Sequence, residues 1–318
     1  MENRRAMVSS PRGRKGRSKN RYMIVEDQKN LKVHFAGGEQ TDFAYCITKG
    51  AGIRYILFSC FGYISSSLNI KNGGWWQGIP VYKELEYFKV RHSIMDSGLY
   101  TLIFGAHAGK RTEKEIEVWY RALIELVLKE EIVSACVEVD CQKILGPEKA
   151  WELRRRMRND LPNNRIINVF HKEDGQKGLD ELIEFTDYIA ISVPELKGMG
   201  QGKYVQVLAD YIKNKKPGID IHLLGCTDQK LLKKLKYCTT SDSTSWIQLN
   251  RYGSIGHKVY KKDISTNKVV KEFGDTLKGL SNRYKLNKKE SYYHYLGAYI
   301  VAAKYYKSLY TKIAGSQE

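Results

Sequence analysis

Short apolar runs alternate along this chain with segments of helical periodicity. Eight of these runs have the length of strands, and most of them are continuously apolar, as parallel strands covered on both faces are. They are Leu31–Ala36, Arg54–Cys60, Val90–Met95, Ser134–Asp140, Arg165–Phe170, Tyr188–Ser192, Asp220–Leu224 and Tyr237–Ser241. Strands that alternate with helices build parallel sheets, and eight such units predict an α/β fold of the (β/α)8 TIM-barrel type.

The segments between the runs carry signals of helices. Thr112 and Glu115 form a capping-box sequence that opens an amphipathic stretch. Pro147 follows Gly146 and opens another helix, since proline suits a first turn. Further helices are predicted at Gly178–Phe185, Lys203–Ile212, Asp228–Leu235 and, in a tyrosine-rich stretch, Ser291–Ile313.

An open doubly wound sheet is the alternative fold. Such a sheet usually carries a glycine fingerprint after its first strand, and Phe35-Ala36-Gly37-Gly38-Glu39 does not match it. The barrel is therefore favoured. Its predicted range is 21–285, followed at 286–318 by a C-terminal helical extension that packs on it. Residues 1–20 carry seven Lys or Arg against one Glu and predict a disordered basic arm, with a merely solvated tail as the alternative.

Three aspartates close strand-like runs and are followed by small residues. Asp96 precedes Ser97-Gly98, Asp140 precedes Cys141, and Asp242 precedes Ser243. Acids at the carboxyl ends of barrel strands lie on the face where active sites form, so the three predict a carboxylate cluster and an enzyme. Two carboxylates that flank a sugar can perform glycosyl transfer, and a third can accept hydrogen bonds from a base. For any one aspartate alone, a helix N-cap or a turn is the alternative.

The charge of the chain favours a polyanionic partner. The formal net charge is +18 and the isoelectric point is about 9.4. Nucleic acid is the expected partner, ahead of a membrane surface. No apolar run approaches the roughly 20 residues that cross a bilayer, and the basic N-terminus does not resemble a secretory signal. A cytoplasmic location is therefore expected, with no membrane partner.

The six cysteines lack the spacing of a metal site. No CxxC pair occurs, and most cysteines lie in or beside apolar runs. A tetrahedral zinc site needs closely spaced Cys and His pairs, so buried reduced thiols and no metal are expected.

Four segments together resemble the tRNA-guanine transglycosylase superfamily. Met95-Asp96-Ser97-Gly98 is similar to its D-S-G-G segment, and Val139-Asp140-Cys141 to its second base-binding acid. His222-Leu223-Leu224-Gly225 resembles its H-x-M/L-G strand, and Ser241-Asp242-Ser243 falls where its nucleophilic aspartate does. The segments occur in the family's order at similar separations, over roughly residues 31–257.

Three departures bear on the substrate. The family's Gly-Gly loop reads Val193-Pro194-Glu195-Leu196 here, and its glutamine-glycine pair is replaced around His171. The Cys-x-Cys-x-x-Cys…His zinc element of the tRNA enzymes is missing. The pattern therefore looks closer to the DNA-modifying branch of phages and bacteria, which exchanges guanine for a 7-deazaguanine. A phage-encoded chain would work in the host cytoplasm.

The resemblance implies a role for each residue. Asp242 would be the nucleophile that attacks C1′, and Asp96 the general acid and base. The base, a free 7-deazaguanine such as the cyano or aminomethyl precursor, would be bound by a set of residues around them. This set comprises Asp140, Ser97, Gly98, His171, Leu196 and Gly225. No cofactor and no metal are implied, and the oligomeric state is left open.

Contacts with nucleic acid are expected outside the carboxylate cluster. Trp75 and Trp76 lie in a glycine-rich insertion and could stack on an exposed base, with lid packing as the alternative. Arg251, Lys261 and Lys262 could contact phosphates, although basic clusters are more often solvated faces. Three other functions stay open: an enzyme acting on tRNA, a non-catalytic nucleic-acid-binding subunit of the same fold, and an unrelated barrel hydrolase acting on a small sugar or nucleoside.

Overall fold

Eight parallel strands close into one barrel in chain order, with β8 pairing back on β1. The computed structural model describes residues 30–67, 84, 86–99, 111–129, 134–252, 254–255, 258–259, 266–285 and 290–317. The barrel strands are β1 Lys32–Ala36, β2 Tyr55–Ser59, β3 His92–Asp96, β4 Ala135–Val137, β5 Ile166–Phe170, β6 Tyr188–Ser192, β7 Asp220–Leu224 and β8 Thr240–Ser243. A small antiparallel pair, β9 Ser254–Ile255 and β10 Lys258–Val259, follows them.

Helices connect the strands. They are α1 Thr41–Tyr45, which continues as a π-helical turn at Cys46–Gly50, then α2 Phe61–Ser67, α3 Glu113–Lys129, α4 Gln142–Leu145, α5 Pro147–Asp160, α6 Gly175–Phe185, α7 Val193–Gly198, α8 Tyr204–Lys215, α9 Gln229–Lys234, α10 Ser245–Tyr252, α11 Thr266–Tyr284 and α12 Glu290–Ala314. A 3-10 turn at Lys172–Asp174 precedes α6.

The strands bury both of their faces, which explains why their sequences are continuously apolar. One face packs under the helices, where Phe35, Ile189 and Leu223 belong to the larger apolar cluster. The other face fills the barrel interior, where a separate cluster includes Leu57, Ile94 and other alternate residues of the strands. Because side chains alternate along a strand, a polar residue two positions beyond an interior one points into the mouth of the barrel.

The C-terminal helix α12 packs against the strands where the barrel closes. Tyr299 is buried, and the Tyr310 hydroxyl donates to Ser243 Oγ at 2.8 Å. Beyond the helix, Gln317 accepts from the backbone N–H of Val33 at 2.8 Å and donates to the carbonyl oxygen of Leu31 at 2.9 Å. These hydrogen bonds tie the end of the chain to the start of β1.

The predicted (β/α)8 barrel and its C-terminal helix are confirmed. Two strand bounds differ where aspartates lie. β4 ends at Val137, so Asp140 lies in the following loop, and β8 runs to Ser243, so Asp242 lies within a strand. Pairing explains β8: Lys32 to Phe35 of β1 pair with Thr240 to Ser243, so the polar run hydrogen-bonds as a strand although its side chains are not apolar.

Several predictions concern residues outside the described ones. The predicted basic arm at residues 1–20 lies there, as do Trp75, Trp76, Lys261 and Lys262. Arg251 lies in α10. Among the described residues, no helix combines the length and the apolar composition that crossing a bilayer requires. All six cysteines are buried and unpaired.

Candidate active site at the mouth of the barrel

The three predicted aspartates meet at the carboxyl ends of the strands. Asp96 is the last residue of β3, Asp140 follows β4, and Asp242 lies near the end of β8. They are close enough that the charges of Asp242 and Asp140 both act on Asp96. The structure therefore brings together three carboxylates that are far apart in sequence.

Asp242 is held by the end of the neighbouring strand β7. Its Oδ1 accepts a hydrogen bond from the backbone N–H of Gly225 at 2.7 Å. The same oxygen lies 3.2 Å from Nε2 of His222, a residue with no exposed surface. His222 Nδ1 in turn lies 2.8 Å from the Thr240 hydroxyl. These contacts orient a carboxylate that keeps 11% of its side-chain surface exposed toward the mouth.

Asp96 has an environment that suits proton transfer. Desolvation is the main cause that raises its pKa from 3.8 to about 6, and the charges of Asp242 and Asp140 add to the rise. The backbone N–H of Gly98, which donates to Asp96 Oδ2 at 3.0 Å, opposes it. A carboxyl group with a pKa near the working pH can both give and take a proton.

The loop that follows Asp96 is fixed from the helix layer. The indole N–H of Trp119, on α3, donates to the carbonyl oxygen of Ser97 at 2.9 Å. Trp119 is fully buried, so this hydrogen bond is shielded from water. The indole of Trp246, on α10, holds the carbonyl oxygen of Ala36 at the end of β1 in the same way.

Asp140 belongs to a charged network. His171 Nε2 donates to Asp140 Oδ1 at 2.7 Å, and His171 Nδ1 lies 3.8 Å from Glu195 Oε2. Glu195 is also paired with the ammonium group of Lys143 at 2.7 Å. Burial alone would lower the pKa of His171, but the hydrogen bond and charge of Asp140, with the charge of Glu195, raise it. The hydrogen bond from His171 therefore fixes the orientation of Asp140.

A buried ion pair between Arg154 and Glu138 lies next to this network and stabilises it. Arg154 donates through Nε and Nη2 to the two carboxylate oxygens of Glu138, each at 2.7 Å. Asn168 and the backbone N–H of Val169 complete the hydrogen bonds of Glu138, at 2.6 and 2.8 Å. This bidentate geometry satisfies the buried charges and fixes the backbone two residues before Asp140.

Two of the predicted base-binding glycines have stereochemical reasons to be glycine. Gly98 has φ +76°, and a Cβ there would lie 2.5 Å from the backbone nitrogen of Phe61. Gly225 has φ +63°, and a Cβ there would lie 2.8 Å from Cγ of Pro194. Both turns bring backbone N–H groups onto the carboxylates, and side chains would obstruct them.

A cavity of about 340 Å³ opens at this mouth. Ser97 and the carboxylates of Asp96, Asp140 and Glu195 are among its polar lining groups. The remaining lining residues are Val137, Lys143, Val169, His171, Ser192, Pro194, Met199 and Leu224. An apolar cavity of this size with a few convergent polar groups is typical of small-ligand sites.

Leu196, whose backbone was predicted to help line the base pocket, is not a lining residue of this cavity. It is one of the lining residues of a second cavity, of about 490 Å³, between α6 and α8. Its neighbours Pro194 and Glu195 line the mouth instead. Gly225 and Asp242 are not lining residues of the mouth cavity, although the hydrogen bond between them is adjacent to it.

Sequence reasoning missed Glu39. This residue follows β1 after Gly37-Gly38, and its Oε2 accepts a hydrogen bond from the backbone N–H of Ser59 at 3.3 Å. Desolvation, with a contribution from the charge of Asp96, raises its pKa from 4.5 to about 7. The pattern that identified the aspartates does not cover Glu39, because two glycines separate it from the end of β1 and no small residue follows it.

One group of described side chains has the spacing of metal ligands. One atom each from His171, Glu173 and Glu195 lie within 4.8 Å of one another. The ammonium group of Lys143 contacts both glutamates and already supplies their counter-charge. The expectation of a metal-free site stays a prediction.

Comparisons with known proteins identify the fold of this chain but not its family or its function. No protein-family model matches the chain, and no curated protein matches it in sequence. A crystal structure from Coccidioides immitis, described as a "putative fructose-1,6-biphosphate aldolase", is similar with a TM-score of 0.53 and 10% identity, over 93% of this chain and 96% of that one. At that identity the likeness carries no function. It agrees with the strand topology that this chain is a TIM barrel, a fold common among enzymes.

Proposed function

We propose that this chain is a glycosyltransferase that exchanges guanine in nucleic acid, with DNA favoured over tRNA, for a free 7-deazaguanine. The observation that carries the proposal is that Asp242 and Asp96 lie close together in two different environments. One carboxylate is oriented by a backbone N–H and is suited to attack, while the other has a pKa of about 6 and is suited to proton transfer. Two carboxyl groups in different environments are what glycosyl transfer requires.

The first half-reaction expels guanine. Asp242 attacks C1′ of the target nucleoside, the C1′–N9 bond breaks, and its electron pair leaves with guanine. Asp96 donates the proton that neutralises the departing base. The product is a sugar bound to Asp242 through an ester bond.

The second half-reaction is the reverse with a different base. Asp96 takes the N9 proton of the free 7-deazaguanine, and N9 attacks C1′ while the bond to Asp242 breaks. Asp96 regains the proton that it lost, so no net proton is consumed. Two displacements retain the configuration at C1′.

The remaining residues of the mouth fit the binding of a base. Asp140 keeps Oδ2 for the N–H groups of a purine, because His171 holds Oδ1. The cavity walls Val137, Val169 and Leu224 are apolar and suit the faces of the ring. A base within a duplex must be flipped or single-stranded to enter, and we propose that Trp75 and Trp76 stack on it.

DNA is favoured because the zinc element of the tRNA enzymes is missing from the sequence. The net charge of +18 suits either polymer and argues against a hydrolase of small nucleosides. A non-catalytic binding subunit is the second candidate from another class. The oriented Asp242 argues against it, since binding alone does not need a carboxylate in a basic protein.

The test is base exchange. The protein is incubated with radiolabelled guanine and with DNA or with tRNA, and label in each polymer is counted. Label in DNA supports the proposal. Label in tRNA alone would mean that the chain is an exchange enzyme acting on tRNA and not on DNA. Label in neither polymer, with binding retained, favours the binding subunit.

A further inference from the structure

A further carboxyl group close to Asp96, that of Glu39, has no role in the proposed reaction. Glu39 is partly buried, and its Oε2 accepts from the backbone N–H of Ser59 at 3.3 Å. Ser59 lies at the end of β2 in register with Asp96 at the end of β3. The side chain of Ser59 is hydrogen-bonded to Asp96. One serine therefore holds both acids, Glu39 by its backbone and Asp96 by its hydroxyl.

The titratable groups that face these two acids come from several elements. Asp242 of β8 and Asp140, after β4, bring like charges to Asp96. Burial raises the pKa of the Cys60 thiol, next to Ser59, and the charges of Asp96 and Glu39 raise it further. This thiol therefore stays neutral. The Tyr63 hydroxyl of α2 donates to the backbone oxygen of Glu39 at 3.3 Å. Ionising both acids at once is therefore costly.

We propose that Glu39 is a positioning residue that controls the proton on Asp96, an inference that rests on the exchange reaction proposed above. Asp96 must be an acid when guanine leaves and a base when the new base enters. When Glu39 is protonated it is neutral, so it does not oppose the negative charge that Asp96 carries between the two steps. When Glu39 is ionised, Asp96 is harder to deprotonate, because two like charges close together repel each other.

The pH behaviour agrees with this geometry. Desolvation and the charge of Asp96 raise the pKa of Glu39 to about 7, while that of Asp96 is about 6. The two acids therefore change charge in overlapping pH ranges around neutrality, and their macroscopic titration belongs to the pair.

The experiment titrates Asp96 directly. Full-length protein with 13C-labelled aspartate carboxyl groups is followed by NMR from pH 4 to 9, and Asp96→Asn assigns the signal. In Glu39→Gln, we expect the upper part of the Asp96 titration curve, over which Glu39 ionises in the wild type, to move to lower pH by about 0.1–0.5 unit, because one like charge is gone. Glu39→Asp keeps the charge and is expected to restore part of the shift. Glu184→Gln, an exposed change on α6, is the matched control and should leave the midpoint unchanged.

The alkaline limb of base exchange should move in the same direction in Glu39→Gln. An Asp96 titration curve that is identical in wild type and Glu39→Gln over the whole range from pH 4 to 9 overturns the proposal, whatever the exchange assay gives. The titration needs no substrate, so the two failures are distinguishable. A shifted midpoint without any exchange supports the coupling of the acids and contradicts the reaction.

Discussion

At the scale of single residues, two carboxyl groups differ because of their neighbours. Asp242 and Asp96 lie on strands that β1 and β2 separate, and both point into the mouth. Asp242 receives a backbone N–H and lies beside His222, whereas the pKa of Asp96 is raised to about 6 by desolvation. The proposed division into nucleophile and proton carrier rests on these environments and not on residue type.

Asp242→Asn should abolish base exchange and leave nucleic-acid binding intact. The amide cannot form the glycosyl ester, so we expect a loss of about 10⁴-fold or more in the exchange rate. Rates of label incorporation and affinities for an oligonucleotide measure the two effects. Asp275→Asn, an exposed change on α11, is the control. Exchange near the wild-type rate would remove Asp242 from the role of nucleophile.

Glu39→Gln should change how stability depends on pH. The pKa of Glu39 is raised in the folded chain from 4.5 to about 7, so the folded state binds this proton more tightly than the unfolded state does. That stabilisation is fully present below about pH 4.5 and is lost as the pH rises through about 7. The glutamine variant does not titrate at this position. As the pH rises between these values, its free energy of unfolding should therefore increase by roughly 3 kcal/mol relative to that of the wild type.

Urea unfolding at a series of pH values measures the difference between the two proteins. We expect the difference to be constant above about pH 8, where Glu39 is ionised in both states. A difference that does not vary with pH would show that Glu39 titrates normally in the folded chain.

At the scale of elements, the turns after the strands place the site. Gly225 ends β7 with a left-handed backbone, and its N–H reaches Asp242 because no side chain stands against Pro194. Gly98 follows β3, and its backbone N–H likewise donates to Asp96. A side chain at Gly98 would collide with the backbone of Phe61. Each turn couples the end of one strand to the start of a neighbouring helix.

Gly225→Ala should destabilise the fold and impair exchange together. We expect a loss of roughly 2–4 kcal/mol, since both the backbone strain and the contact with Pro194 contribute. Gly146→Ala is the matched control: Gly146 also has a left-handed φ, +84°, but a Cβ there would meet nothing within 4 Å. Thermal unfolding and exchange rates are compared. Equal losses in the two variants would mean that the contact with Pro194 has no effect.

The order of strands could be predicted from the sequence, and the exact positions of side chains could not. Strands covered on both faces leave continuous apolar runs, and seven of the eight were visible for that reason. β8 is polar, and its bounds are set by pairing with β1. Six helices were not predicted: α1, α2, α4, α7, α10 and α11. α1, for example, begins after Gln40, which makes no side-chain cap. Glu39 was missed because its burial beside Asp96 depends on β2 and β3 coming together.

At the scale of the whole molecule, the barrel gathers acids at one mouth within a strongly basic chain. The net charge of +18 cannot come from the mouth, where Asp96, Asp140, Asp242 and Glu39 lie. The excess of cations therefore belongs to the rest of the sequence. This arrangement suits a polyanion whose phosphates bind around the mouth while one neutral base enters it.

Affinity for DNA should fall steeply with salt. If about six phosphates or more are contacted, the dissociation constant should rise by roughly 10³-fold between about 50 and 200 mM salt. Fluorescence anisotropy with a labelled oligonucleotide measures the slope, and the double change of Lys261 and Lys262 to Ala should make it shallower. A response that is flat in salt would contradict phosphate binding.

The most direct measurement is the mass of the protein after reaction with a guanine-containing oligonucleotide, quenched by acid and digested. We predict an adduct equal to the oligonucleotide without one guanine, attached to the peptide that contains Asp242 and absent from Asp242→Asn. An adduct on another residue, or base exchange that proceeds without any adduct, would contradict covalent transfer through Asp242.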